Sequence, residues 1–483
     1  MTTKRLPAAK KLAAEILAHK NGTQPLSASV TFLLSKRDEM KRFNSIEHFV
    51  TVEDPERIPG HSGCEHHLLL LRAQLARELW SRQLFIGVSV LDELLFYAVA
   101  HDTTTDPVLR VLELIRDEGL HYPGLVIFPV HSFGMLGAGF LHWFTNARID
   151  YTSRDFGIAL TPQTNDMRKT IRFLERARTA FDITKAVNDE LIEHWYRSRS
   201  AHWLTKNPLF VVKTQSFPGG YYENQFLLVS KLRASAAMVS MLACLQPDQE
   251  PDADVGERLL SSSSINNFQT LDFRHYIVLY NAPRKRKLDG DCVPMHLRAP
   301  ALAEVSDLGI ELDPRFWRRR HTMATRINRA VSSVHAGYLK HSVGHTSNSM
   351  LARVYRKLFE ALVFFRRSFH KTDDDWGGII SLAIAFEMSL TDSYAAGVHE
   401  RIVRRTKLLL RGVPGTKKYV QSVRDLYTAR GGVVHSGSTT EPVDLKVARN
   451  AFVNMFVALT ERLDSLRSSS TAPMRDLAGD TTT

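Results

Sequence analysis

Cysteine is nearly absent: three thiols, Cys64, Cys244 and Cys292, are spread over 483 residues. An odd, widely spaced set argues against a disulfide framework and fits a reducing compartment. Long apolar runs are missing as well. The stretch Leu84–Ala100 is interrupted by Asp92 and Glu93, so it reads as a buried helix and not as a membrane span. The opening Met1-Thr2-Thr3-Lys4-Arg5-Leu6-Pro7 has no apolar signal core, and a cytoplasmic protein with no membrane partner is expected. No G-x-x-x-x-G-K-[ST] loop or G-x-G-x-x-G fingerprint occurs, which removes the usual nucleotide-triphosphatase and dinucleotide classes. The G-x-S-x-G elbow of serine hydrolases is missing too.

What is present is an excess of positive charge: 63 basic against 51 acidic side chains, a net +12. Residues 341–483 hold 20 basic and 14 acidic groups, so under a third of the chain carries half of the excess. That distribution suits a polyanionic partner. The length predicts two or three domains with ample core.

Residues 1–340 read as α+β, a sensor or partner-binding region with a break near 246–256, where the chain is acidic and contains proline. Helices are expected over about 7–19 and 65–100. Short β-prone runs follow at 125–133, 147–152 and 155–160, bounded by Gly, Pro and Asn. Residues 166–183 return to an amphipathic helix, 208–217 read as a strand, 223–245 as a long helix and 268–281 as a strand. A linker or hinge is expected around His335–Asn348.

From about residue 347 the pattern becomes helical throughout. Leu351, Val354, Leu358, Phe359, Leu362 and Phe365 recur at helical spacing between Arg353, Arg356, Lys357 and Glu360. A second segment, Ile379–Leu390, is apolar apart from Glu387. A third, His399–Leu410, alternates apolar positions with Arg401, Arg404, Arg405 and Lys407. Val413-Pro414-Gly415 breaks the chain. A fourth helix is expected over about 417–430 and a fifth over about 442–466, and the tail at 468–483 reads as disordered.

Three pieces of this region, "AIAFEMSL" (383–390), "RTKLLL" (405–410) and "LYTARGGVVHSG" (426–437), occur in the order seen in a known family. The region resembles a HEPN domain of the ApeA-like branch, over about a quarter of the chain. The resemblance implies an all-α C-terminal HEPN-like bundle at 341–467 after the α+β region. It further implies a metal-independent endoribonuclease without cofactor, working as a homodimer through the helical domain in a phage-defence or toxin-like setting. In such enzymes the RNA 2′-hydroxyl attacks the adjacent phosphate and leaves a 2′,3′-cyclic phosphate. His435 would be the general acid/base, Arg430 would hold the scissile phosphate, and Glu387 would orient one of them. The N-terminal region would then read a phage-derived or small-molecule trigger. Active members often carry a polar residue directly after the arginine, where this chain has Gly431. The alternative is a non-catalytic HEPN protein that binds RNA or dimerises.

Spacing alone does not single out Arg430 and His435. Among 43 arginines and 20 histidines, an Arg followed by a His after four to six residues is expected about five times by chance, and six such pairs occur. In an unbroken helix residues five apart point roughly 140° away from each other. Either Gly431-Gly432 unwinds the helix and lets the two side chains converge, or it ends the helix and the pair is structural.

Further candidates lie upstream. "RFWRRRH" (315–321) interleaves Trp317 with Arg315, Arg318, Arg319 and Arg320, a pattern that neutralises phosphates and stacks on a splayed base. Arg404 and Arg405 add two more candidate RNA contacts. "PRKRK" (283–287) is a second basic loop. His61, Cys64, His66 and His67 carry metal-ligating atoms, but four ligands so close rarely wrap a tetrahedron, and a polar first turn is the better reading. His341 and His345 at i,i+4 lack the glutamate of an H-E-x-x-H motif.

Overall fold

The computed structural model describes residues 8–51, 60–82, 84, 86–120, 123–129, 134–135, 151–153, 157–161, 164–198, 201–206, 209–213, 224–247, 275–281, 285–294, 311–312, 314–343, 349–369, 376–393, 397–436, 443–467 and 469–481. The described residues are mostly helical, with a six-stranded antiparallel sheet and two two-residue strand pairs. Among them no helix is long and apolar enough to cross a membrane.

The N-terminal helices are α1 (Ala9–Ala18), α2 (Leu26–Ser35), α3 (Arg37–Met40), α4 (Ile46–Val50), α5 (His61–Ser81), α6 (Val88–Ala100) and α7 (Pro107–Asp117). They bury a core of their own, with Leu12, Leu33, Phe49, Leu71, Leu75, Phe96 and Val111 inside. The expected α+β region therefore starts with a helical layer whose one pair of strands is the two-residue ribbon Lys20–Asn21 and Gln24–Pro25, and the strands of the main sheet begin at Leu125.

The sheet joins β1 (Leu125–Pro129), β2 (Tyr151–Ser153), β3 (Ile158–Thr161), β4 (Leu209–Lys213), β5 (His275–Tyr280) and β6 (Asp289–Pro294) in the order β2-β3-β4-β1-β5-β6. Every neighbouring pair is antiparallel. Successive strand residues point to opposite faces, and here both faces are buried. Leu125, Ile127, Ala159, Leu209, Val211 and Ile277 meet α8 (Met167–Ala180) and α9 (Asp189–Arg197). Val126, Phe128, Ile158, Phe210, Val212 and Val278 face the other way, toward α11 (Asn224–Cys244) and the C-terminal helices. Short α10 (Trp203–Lys206) buries Trp203 on the first of these faces.

After α12 (Pro314–Arg319) and α13 (His321–Tyr338) come the bundle helices α14 (Met350–Arg367), α15 (Trp376–Leu390), α16 (Val398–Leu409), α17 (Thr416–Ser436) and α18 (Leu445–Thr460). Ser349 caps α14 through the Ala352 N–H and Asp444 caps α18 through the Val447 N–H, each satisfying a first-turn donor. The Val413-Pro414-Gly415 break separates α16 from α17, and Gly412 and Gly415 there take left-handed φ of 86° and 83°.

Two expectations are overturned. The segment His335–Val343 is not a linker. It ends α13 and passes into a π-helical turn at Leu339–Val343. His335 is buried and lies 3.2 Å from the Ser230 hydroxyl of α11, and Tyr338 stacks on Phe359 at 4.2 Å. Gly337 is packed so closely that an added Cβ would fall 2.0 Å from the Tyr355 ring. One apolar core thus runs from the sheet through α11 and α13 into the bundle, across the boundary expected at residue 341. Residues 344–348, including His345, lie outside the described residues, as does most of the expected break at 246–256.

The second concerns the tail. Residues 473–478 form α19 (Pro473–Ala478), and Met474, Leu477 and Ala478 are buried on the bundle. Buried Asp480 accepts from Arg404 Nε and Nη2 at 3.1 and 2.8 Å and from Arg405 Nε at 3.0 Å. Asp392 accepts from the Met474 and Arg475 N–H groups at 2.7 and 3.1 Å, capping α19. A polar composition hid three apolar contacts and a buried ion cluster.

Candidate active site

The residues singled out by the resemblance lie on α15, α16 and α17. Helix α17 runs unbroken through Gly431-Gly432 to Ser436. Ala429 and Val433 are buried on either side of the glycines, and this packing outweighs their poor helix propensity. A Cβ at Gly431 would meet nothing within 4 Å, so no close approach demands glycine there. With the helix intact, Arg430 and His435 leave its axis roughly 140° apart. Arg430 is half-buried and His435 is exposed. The glycines neither unwind the helix nor end it at Arg430.

Arg430 meets Glu387 instead. Its Nη2 lies 3.3 Å from Glu387 Oε1. The Arg430 Nε is buried without a hydrogen-bond acceptor. Burial pushes the Glu387 carboxyl above the usual carboxylate range, and the nearby Arg430 charge pulls it partly back. The register that pairs these two is set one turn earlier. Buried Tyr427, three residues before Arg430, donates its hydroxyl to the Ala383 carbonyl at 2.9 Å, four residues before Glu387. Burial holds the Tyr427 phenol well above its ordinary range, Glu387 adds to that effect and Arg430 opposes it. His399, in the first turn of α16, stacks on the Tyr427 ring at 5.4 Å and 14°.

The structure thus brings Arg430 and Glu387 together and leaves His435 apart from them within one chain. Tyr427 and His399 complete the cluster and were not singled out beforehand. The signal for Tyr427 was its place one turn before Arg430; for His399 the sequence held none.

The other candidates divide. Trp317 is buried and its indole N–H donates to Gln246 Oε1 at 3.0 Å, so no face is open for a base. Phe316 packs edge-on against it at 5.1 Å. Arg318, Arg319 and Arg320 are exposed, with Arg320 over the Phe316 ring at 5.5 Å. The side chain of Arg315 lies outside the described residues. Arg404 and Arg405 are engaged by Asp480, and buried Arg405 also bonds to Leu390 O and Asp392, which makes both of them anchors of α19. Lys287 of the "PRKRK" loop pairs with Asp189 at 2.5 Å.

Of the upstream histidines His61 is buried, His67 and His341 are half-buried and His66 is exposed. His61 bonds to the Phe49 carbonyl at 2.7 Å and stacks on Phe49. His67 bonds to the Ser29 hydroxyl at 3.0 Å, and His341 stacks on Tyr355 at 5.3 Å. Among the described residues no three His, Cys, Asp or Glu side chains converge as metal ligands would.

No protein-family model matches this chain, and neither a curated protein nor a solved structure matches it.

Proposed function

We propose that the protein is a metal-independent endoribonuclease of the HEPN type. In this reaction the RNA 2′-oxygen attacks the adjacent phosphorus while the bond from phosphorus to the 5′-oxygen breaks. The 2′-hydroxyl proton passes to a base, and a proton from an acid goes to the departing 5′-oxygen. The products are a 2′,3′-cyclic phosphate and a 5′-hydroxyl. His435 carries the proton, and Arg430 holds the phosphate and its developing charge. One observation carries the reading: an arginine held by a half-buried carboxylate, 3.3 Å away, near the end of a helix whose last turn exposes a histidine. Since the two side chains diverge along α17, the site requires two protomers that each lend one of them across a two-fold axis. On the family resemblance the protein acts in the cytoplasm in a phage-defence or toxin-like system, with a phage-derived or small-molecule trigger.

A second reading is a HEPN protein that binds RNA or dimerises without cutting. The divergence of Arg430 and His435 along α17 favours it, because one chain does not set both groups on one phosphate.

Incubation with total bacterial RNA in EDTA, alongside His435→Ala, separates the two readings. Cyclic-phosphate ends made by the wild type and absent with His435→Ala are expected. No cleavage by either protein, with phage lysate added as a trigger, moves the function to the non-catalytic binder.

A further inference from the structure

We propose that His399 is a positioning residue of the Arg430 site, holding Arg430 and Glu387 in register through the ring of Tyr427. The inference rests on the reading above in one respect, that Arg430 holds a phosphate.

Three helices meet at this point. Tyr427 ties α17 to α15 by its bond to the Ala383 carbonyl at 2.9 Å. In the α-helix that same carbonyl accepts the backbone N–H of Glu387, so the phenol grips the turn from which the carboxylate projects. Arg430 stands one turn further along α17 and meets that carboxylate at 3.3 Å. The Tyr427 ring carries this chain of contacts from α17 to α15, and His399 lies nearly parallel to it, with ring centroids 5.4 Å apart. Gly397, in a left-handed conformation at φ 74°, starts α16 so that His399 falls in its first turn.

The support comes from the ring and not from a hydrogen bond, because the buried His399 Nε2 has no hydrogen-bond partner. Phenylalanine at this position therefore loses no such bond and keeps the stacked face, whereas alanine removes it.

The test uses the full chain as wild type, His399→Ala, His399→Phe, Arg430→Ala and the His399→Ala/Arg430→Ala double variant. Each is titrated with an RNA oligonucleotide carrying 2′-O-methyl groups, which cannot be cleaved. His399→Ala should weaken binding about tenfold when Arg430 is present and not at all when it is absent. His399→Phe should bind within about twofold of the wild type. Wild-type affinity in His399→Ala, or the same loss in both backgrounds, overturns the proposal. If wild type and Arg430→Ala bind alike, the ribonuclease reading fails, and thermal unfolding of the same proteins decides the positioning role. Non-additive shifts for His399 and Arg430 then support it, and additive shifts overturn it.

Discussion

Arg430 faces Glu387 and turns away from His435. The guanidinium Nη2 is 3.3 Å from the carboxylate, while the histidine five residues on stands exposed on another side of the same helix. The pair and the divergence each have measurable consequences.

Burial raises the Glu387 carboxyl, and Arg430 only partly offsets the effect. A raised carboxyl favours its protonated form. Its contribution to stability is therefore full below the ordinary glutamate value and is lost as pH rises through the folded one. Glu387→Gln keeps an acceptor for Arg430 and cannot ionise. Its Tm should gain on the wild type as pH rises from about 4 to about 8. A difference that stays flat would mean that the ion pair cancels the cost of burial.

The divergence along α17 sets a complementation experiment. Arg430→Ala and His435→Ala should each be inactive alone. Mixed under exchange, they form heterodimers in which one of two sites has both groups intact, so about a quarter of wild-type cleavage should return. Were both groups of a site drawn from one chain, mixing would restore nothing.

Trp317 and its neighbouring arginines should separate cleanly. Trp317→Ala removes a buried ring and its bond to Gln246, and should cost about 3–5 kcal/mol of stability in denaturant melts. Arg319→Ala and Arg320→Ala should leave the fold alone. If those exposed side chains touch RNA, each loss lowers the slope of log affinity against log salt by about 0.7. An unchanged slope would exclude that face from the RNA path.

The ion cluster at the end of the chain should be unforgiving. Arg405 and Asp480 are 5% and 1% exposed at their side chains, so removing one leaves the other charged and buried. Asp480→Ala should cost about 3 kcal/mol and release α19, visible as faster amide exchange over residues 473–478. Arg404, 43% exposed, should tolerate alanine at a cost below about 1 kcal/mol. Equal effects from Arg404 and Asp480 would contradict this account.

The helices of the bundle were readable because Val354, Leu358, Leu362 and Phe365 recur with the period of a helix that buries one face. The strands at Leu125–Pro129, Leu209–Lys213 and His275–Tyr280 were readable as short β-branched runs. What escaped the sequence depends on partners far along the chain. His335 and Gly337 look like linker residues until Ser230 and Tyr355 are set against them. The tail looks disordered until Arg404 and Arg405 meet Asp480. The pairing of Glu387 with Arg430 joins residues 43 apart in sequence and depends on how α15 packs on α17. The continuity of α17 did not follow from Gly431-Gly432, since packing of Ala429 and Val433 overrides local propensity.

The shared core has a consequence for how such a protein changes over time. Helices α11 and α13, from the first 340 residues, form one wall of the C-terminal bundle. A recombination event that cut at residue 341 would carry α14 and α18 away with their apolar sides bare. The apolar sides of the bundle are therefore covered when it is inherited together with α11 and α13.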